Sequence, residues 1–136
     1  MQYLLDTNIC IYIIKKKPPR VIQRLQEVEI SDAGISTITV SELSYGVEKS
    51  QRRAQNRIAL AAFVTPLEIV PYDDQAAQAY GKIRSFLETQ GQPLGPLDML
   101  IAAHALSLNC TLVTNNVKEF SRVPELPIEN WAEPAT

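Results

Sequence analysis

Short apolar runs alternate with longer segments of helical periodicity along this chain. Unbroken apolar runs, typical of strands buried on both faces, predict strands at residues 2–5, 34–38, 67–71, 111–114 and, more briefly, near 127–130. Apolar positions three and four residues apart predict helices at residues 8–16, 19–28, 40–49, 52–64, 74–90 and 96–109. Because helical segments separate the strands, the order favours βαβ units around a parallel sheet.

Prolines and glycines mark the ends of these elements. Pro18-Pro19 separates the first two helices, and the turn at residues 91–96 precedes the last long helix. We therefore expect the 136 residues to form a single domain over residues 1–131, followed by a short tail at residues 132–136.

Composition narrows the class of protein but does not indicate a partner. Hydrophobic residues make up 46% of the chain and charged residues 21%, as in ordinary globular proteins. No apolar run approaches the ~20 residues that span a bilayer, and the start of the chain lacks signal-peptide features, so we expect a cytoplasmic protein without a membrane partner.

Cys10 and Cys110 fall in no metal-binding pattern and are expected to be buried thiols. The net charge of −2 gives no sign of a nucleic-acid partner.

Three acidic residues stand where predicted strands give way to helices. Asp6 ends the first apolar run, Glu42 follows the second strand, and Asp98 lies in the first turn of the last long helix. Each has a structural explanation: a helix N-cap for Asp6 or Asn8, a capping box from Thr39 to Glu42, and a favourable helix dipole for Asp98.

The position of these acids in the fold also favours a functional explanation. In a parallel sheet, helices that follow strands begin at the carboxyl edge, where ligands bind. Asp6 and Glu42 follow strands directly, and the turn before Asp98 can bring it to the same edge. Clustered carboxylates repel one another and imply a cation as partner. Oxygen ligands without histidine or cysteine suit Mg²⁺, or Mn²⁺ in its place.

Polar residues also follow the fourth predicted strand. Thr114 and Asn116 offer neutral oxygens there, and Glu119 offers a fourth carboxylate. The pair Asn115-Asn116 is explained equally well as a turn and cap before a short helix.

In these motifs the chain resembles the PIN-domain ribonucleases, and specifically the VapC toxins of bacterial VapBC toxin–antitoxin pairs. The resemblance covers nearly the whole chain and is carried by LLDTNICIYIIK, ISTITVSELSYGVEKS and GPLDMLIAAHALSLNCTLVTNNVKEFSRVPELPIENW. It implies a three-layer α/β/α fold with a mostly parallel central sheet of four to five strands. The resemblance also implies that the chain is the toxin of a type II toxin–antitoxin system. Such a toxin is an endoribonuclease that depends on Mg²⁺ or Mn²⁺ and blocks translation by cutting RNA. The anticodon loop of initiator tRNA is the favoured target, with ribosomal RNA as the other target in the family.

The resemblance also implies roles for individual residues. Asp6, Glu42 and Asp98 match the family's first three acids, which are catalytic and hold the metal. The fourth acid of many members is an aspartate in a T-x-D motif, where this chain has Thr114-Asn115-Asn116. The site therefore lacks one negative charge, and whether a second metal binds stays open. The remaining predicted site residues are Asn116 and Glu119 as alternatives at the fourth position, and Thr7, Asn8, Thr114 and Asn115 as supporting residues.

The partners implied by the resemblance are an RNA substrate, a VapB-like antitoxin whose tail enters the acidic pocket, and a second copy of the chain in a homodimer. Operator DNA would be contacted only through the antitoxin. Two basic clusters are candidates for phosphate contacts, although a solvated helix face explains them as well: Lys15–Lys17 with Arg20 and Arg24, and Lys49 with Arg52, Arg53 and Arg57.

Other functions fit the sequence less well. A ribonuclease that uses two histidines lacks one of them, since His104 is the only histidine and is predicted to lie in the core or on a helix flank. A phosphatase with Asp6 as nucleophile would carry a second aspartate at position 8, which is Asn8. The alternative that stays open is a weakly active or inactive PIN domain that acts as an RNA-binding or regulatory module, because Asn116 brings no negative charge to the metal site.

Overall fold

A five-stranded parallel sheet lies between two layers of helices in the computed structural model, which describes residues 1–134. The strands are β1 (Tyr3–Leu5), β2 (Ala33–Ser36), β3 (Glu68–Val70), β4 (Thr111–Val113) and β5 (Ile128–Glu129). The helices are α1 (Thr7–Lys15), α2 (Pro19–Gln26), α3 (Thr37–Glu48), α4 (Arg53–Val64), α5 (Asp74–Thr89), α6 (Pro96–Leu108) and α7 (Val117–Phe120). The predicted α/β/α fold is thus confirmed, and every strand pair in the sheet is parallel.

The central strand β1 is buried on both faces, which explains why its apolar run does not alternate with polar residues. Leu4 packs into a core with α5 and α6 on one face of the sheet, whereas Tyr3 and Leu5 pack into a second core with α1, α2 and α3 on the other. Both faces are therefore buried, as in other parallel sheets.

The strand order places a ligand-binding crevice beside β1. The strands run β3-β2-β1-β4-β5, so the chain first builds the sheet in one direction from β1 and then in the other. Ligands bind at such a switch point, outside the carboxyl ends of the two strands. Asp6 follows β1, and Thr114 follows β4, in this crevice.

The start of α3 differs from the prediction. The helix begins at Thr37, and Ser36 is its N-cap, because the Ser36 hydroxyl accepts a hydrogen bond from the Ile38 amide at 3.0 Å. The predicted capping box from Thr39 to Glu42 is therefore wrong, since Thr39 lies inside the helix and is buried. Ser36 is also bonded at 2.8 Å to Nδ1 of His104, a tertiary contact that fixes where the helix starts.

Several smaller expectations can be compared directly with the structure. Cys10 and Cys110 are buried free thiols, as predicted. Within residues 1–134, none of the helices is both long enough and apolar enough to cross a bilayer. The predicted tail begins at Ala132, which packs against the core, and its residues 135–136 lie outside the described residues. The domain boundary stays a prediction.

Gly34 of β2 pairs with Glu68 of β3 and leaves no room for a side chain. A Cβ atom at Gly34 would lie 2.9 Å from the Glu68 carbonyl oxygen and would also meet the sulfur of Met1. We expect Gly34→Ala to lower the free energy of unfolding by about 1–3 kcal/mol in urea denaturation, because the strand backbones cannot separate freely. Gly81→Ala is the control, since a Cβ there meets nothing within 4 Å and alanine favours the helix. Equal stability of the two variants would contradict this account.

Candidate active site

Asp6 is both a helix cap and a buried acid at the crevice. One carboxylate oxygen accepts a hydrogen bond from the Thr7 amide at 2.8 Å, and the other accepts one from the Thr114 hydroxyl at 2.7 Å. The structural and the functional explanations of Asp6 are therefore compatible. Only 4% of the residue is exposed.

The surroundings of Asp6 disfavour its negative charge. Burial raises the pKa of Asp6 to about 6, the two hydrogen bonds from Thr114 and Thr7 oppose this rise, and the charges of Asp98 and Glu42 add to it. A cation in the crevice would reverse the balance, because it favours the ionised carboxylate.

Glu42 reaches the same crevice from the second turn of α3. Its carboxylate accepts a hydrogen bond of 2.6 Å from the Thr7 hydroxyl, which joins α3 to α1 across 35 positions of the chain. Thr7 thus contacts two of the acids, Asp6 through its amide and Glu42 through its hydroxyl.

Asp98 approaches from the first turn of α6. Its carboxylate accepts a long hydrogen bond of 3.4 Å from the side-chain amide of Asn116. The pKa of Asp98 is raised, first by burial and then by the negative charges of Glu42 and Glu119. The predicted carboxylates are therefore neighbours that act on one another through their charges: Asp98 and Glu42 on Asp6, and Glu42 and Glu119, the latter on the short helix α7, on Asp98.

The four carboxylates have no cation among the described residues. None of the ion pairs formed within residues 1–134 involves Asp6, Glu42, Asp98 or Glu119. In the same part of the chain, no three acidic, histidine or cysteine side chains are grouped closely enough to hold a metal ion among themselves. Mg²⁺ usually takes one or two carboxylates and completes its shell with waters and phosphate oxygens, so this donor set fits it.

The other supporting residues form a network next to the acids. The Asn8 side chain accepts a hydrogen bond from the Asn115 backbone amide at 3.3 Å and makes none with Asp6. The Asn115 side chain donates to the Tyr12 hydroxyl at 3.0 Å and accepts from the Asn130 amide at 3.2 Å. Tyr12 and Asn130 were not predicted as site residues. Tyr12 stands one helical turn after Asn8, which is a weak signal, and nothing in the sequence indicates Asn130.

His104 takes no part in the crevice. It is buried, and its Nδ1 atom is hydrogen-bonded to the Ser36 hydroxyl. Its ring packs against that of Tyr72 in a T-shaped arrangement with a centroid distance of 5.4 Å. Burial lowers its pKa. Of the two predicted places for His104, the core and a helix flank, the structure shows the core.

The basic clusters are only partly available for phosphate. Arg24 pairs with Glu129 at 3.4 Å and lies over the ring of Trp131, and Arg57 pairs with Glu48 at 2.7 Å. The lysines after α1 are exposed, but they lie at the far end of a nine-residue helix, roughly 13 Å from its start at the crevice.

Comparison with known proteins agrees with this geometry. The family model described as PIN domain matches residues 3–126. The chain is 45% identical to "Ribonuclease VapC2" of Rickettsia felis over 96% of its length and 98% of that protein. It is 44% identical to the "tRNA(fMet)-specific endonuclease VapC" of Salmonella typhimurium, over 96% of its length and 98% of that protein.

Solved structures give the same picture. One chain superposes with a TM-score of 0.90 at 44% identity in a crystal structure of VapBC2 from Rickettsia felis bound to a DNA fragment from their promoter. The match covers 96% of this chain and 99% of that one. A DNA-bound VapBC from Salmonella typhimurium gives a TM-score of 0.91 at 44% identity, with 96% and 98% covered. With the fold, the acidic crevice and these matches in agreement, the chain belongs to the PIN-domain family and, within it, to the VapC ribonucleases.

Proposed function

We propose that this protein is the toxin of a type II toxin–antitoxin pair and cleaves tRNA with the help of a divalent metal ion. The observation that carries the proposal is the crevice itself, where the charges of Asp98 and Glu42 act on Asp6 and those of Glu42 and Glu119 act on Asp98, with no compensating ion pair in the described part of the chain. Mutual repulsion of this kind persists where a site needs it for function. Mg²⁺ is the proposed ion, and Mn²⁺ the proposed substitute.

Asp6 and Asp98 are the proposed principal ligands, and Glu42 acts directly or through a water. The ion would activate water for attack on phosphorus and stabilise the negative charge that develops on the phosphate oxygens. Thr114 and Thr7 keep the carboxylates of Asp6 and Glu42 in fixed rotamers through hydrogen bonds of 2.7 and 2.6 Å. Such outer partners set the direction of metal ligands.

Asn116 and Glu119 share the fourth position in this proposal. The Asn116 amide steadies the Asp98 carboxylate, while the charge of Glu119 acts on Asp98 from α7. Asn116 contributes no charge, so Glu119 supplies the fourth negative charge that attracts the ion.

The proposed substrate is initiator tRNA, cut in the anticodon loop. Relatives in Salmonella typhimurium and Shigella flexneri, 44% and 43% identical, are named tRNA(fMet)-specific endonucleases. Because tRNA resides in the cytoplasm, we place the activity there.

The proposed partner is a VapB-like antitoxin, since the similar structures are VapBC complexes. A groove of about 350 Å³ between α1, α3 and α4 is lined mainly by apolar side chains, includes the polar side chains Lys15, Ser50 and Asn56, and reaches Glu42. Nearby, Ile58 on α4 is 72% exposed. An apolar segment with a basic end suits such a groove, because its charge would meet the acids. We also propose the homodimer that the resemblance implies.

A weak or inactive RNA-binding domain is the second candidate. It is favoured by Asn116, which removes a charge from the metal site. Such a protein would bind tRNA without cutting it.

Sequencing of cleaved RNA tests the substrate. Purified toxin is incubated with total cellular RNA and Mg²⁺, and the new ends are mapped. We expect the dominant cut in the anticodon loop of initiator tRNA. Dominant cuts in ribosomal RNA would overturn the tRNA assignment, and tRNA binding without cuts would favour the inactive domain.

A further inference from the structure

The side chain of Asn115 joins three separate parts of the chain. Its amide group donates to Tyr12 on α1 at 3.0 Å, and its carbonyl oxygen accepts from Asn130 in the C-terminal segment at 3.2 Å. Its backbone amide donates to Asn8 at 3.3 Å. These three bonds fix both the orientation of the side-chain amide and the position of the turn.

The C-terminal segment gives Asn130 a firm base. Strand β5 pairs with β4, and the Thr114 amide donates to the Glu129 carbonyl at 3.0 Å. Trp131 is buried and packs against Tyr3 in an edge contact with a centroid distance of 5.4 Å. The Asn130 side chain also accepts from the Ala132 amide at 2.9 Å, which closes the local turn. This segment lies beyond residues 3–126, the part that the family model matches.

The turn that Asn115 fixes carries two residues of the crevice. Thr114 precedes it and donates to Asp6 at 2.7 Å, while Asn116 follows it and donates to Asp98 at 3.4 Å. The backbone amide of Asn116 also donates to the Thr114 hydroxyl at 2.9 Å, so Thr114 and Asn116 are linked to each other. A shift of this turn would displace both acids' hydrogen-bond donors together.

We propose that Tyr12 and Asn130 are positioning residues that act through Asn115 to hold the 114–116 turn against the metal-binding carboxylates. Both residues bond Asn115 and neither donates to a carboxylate of the crevice, so their effect passes through the turn. The C-terminal segment is thereby part of the catalytic apparatus. This inference rests on the proposed function.

Two single variants each remove a hydrogen bond to Asn115, and they lie in different elements. Tyr12→Phe deletes the hydroxyl and keeps the ring, whereas Asn130→Ala deletes the donor to Asn115 together with the oxygen that accepts from the Ala132 backbone amide. Tyr80→Phe on α5 is the matched control, because its hydroxyl accepts a hydrogen bond of 3.0 Å from Arg84 far from the turn. The double variant of Tyr12 and Asn130 is compared with Asn115→Ala.

Cleavage kinetics separate positioning from direct contact with RNA. We expect kcat and the affinity for Mn²⁺, measured by calorimetry, to fall by about tenfold in each variant, with KM unchanged. The double variant should match Asn115→Ala rather than the product of the single effects. A rise in KM alone, or independent effects that multiply, would overturn the inference.

Amide exchange tests the same contacts without metal or RNA. In metal-free protein, exchange of the Asn115 and Asn116 amides should rise by about fivefold in both variants, with that of Leu112 unchanged. Unchanged exchange at the turn would overturn the inference. If the wild-type protein cleaves no RNA, the proposed function fails, whereas the exchange measurement still decides whether Tyr12 and Asn130 hold the turn.

Discussion

Asp98→Asn should lower the rate of RNA cleavage by about a thousandfold. The substitution keeps the shape of the side chain and an oxygen that can accept from Asn116, and it removes the negative charge. Metal ions stabilise a phosphodiester transition state by several kcal/mol, and about 4 kcal/mol corresponds to a thousandfold in rate. The rate is measured in single-turnover reactions on tRNA at saturating protein.

Asp74→Asn is the matched control for this prediction. Asp74 also lies in the first turn of a helix, α5, and is exposed. A helix-dipole role would give similar small effects in both variants, so equal rates would contradict a catalytic role for Asp98.

Asp6→Asn should lower the rate of RNA cleavage by about a thousandfold and at the same time stabilise the metal-free protein. The pKa of Asp6 rises from 3.8 to about 6 on folding, which corresponds to about 3 kcal/mol of penalty for the ionised form at neutral pH. Asparagine is also a good N-cap, so α1 keeps its first turn. Urea unfolding in EDTA at pH 7.5 should show the variant to be more stable by up to about 3 kcal/mol.

The pH dependence of this difference has a defined sign. Between about pH 4 and pH 6, Asp6 holds its proton in the folded protein and loses it in the unfolded chain, so its contribution to stability falls as pH rises. Above pH 6 the penalty is complete. The advantage of Asp6→Asn should therefore grow from pH 4 to pH 6 and then stay constant.

Asp73→Asn distinguishes this effect from capping. Asp73 is the N-cap of α5, accepts from the Ala76 amide at 3.0 Å and is exposed. It should change stability little at pH 7.5, because asparagine caps a helix about as well as aspartate. A variant at Asp6 that is less stable than wild type at pH 7.5 would contradict the electrostatic account.

The sheet was predictable because burial on both faces leaves a local pattern. Tyr3, Leu4 and Leu5 are all apolar, and the structure buries all three. The start of α3 was not predictable in the same way, because Ser36, Thr37 and Thr39 can all cap a helix. Only the contact of Ser36 with His104 selects among them. Local sequence contains no trace of that contact, 68 positions away.

The gathering of the acids followed from topology, whereas their hydrogen-bond partners did not. A parallel sheet brings helix starts to one edge, so Asp6 and Glu42 were expected together. The bond from Thr7 to Glu42 and the bond from Asn130 to Asn115 join side chains that are distant in the chain. Such pairs depend on how distant helices, turns and strands pack together, which periodicity does not specify.

Titration of Mg²⁺ into EDTA-treated protein with tRNA tests the central claim most directly. Wild type, Asp6→Asn and Asp98→Asn are followed side by side. The account predicts no cleavage without the ion, cleavage that rises and saturates with Mg²⁺ in wild type, and about a thousandfold less in both variants at every concentration. Cleavage that persists in EDTA, or that Mg²⁺ restores equally in all three proteins, would contradict it.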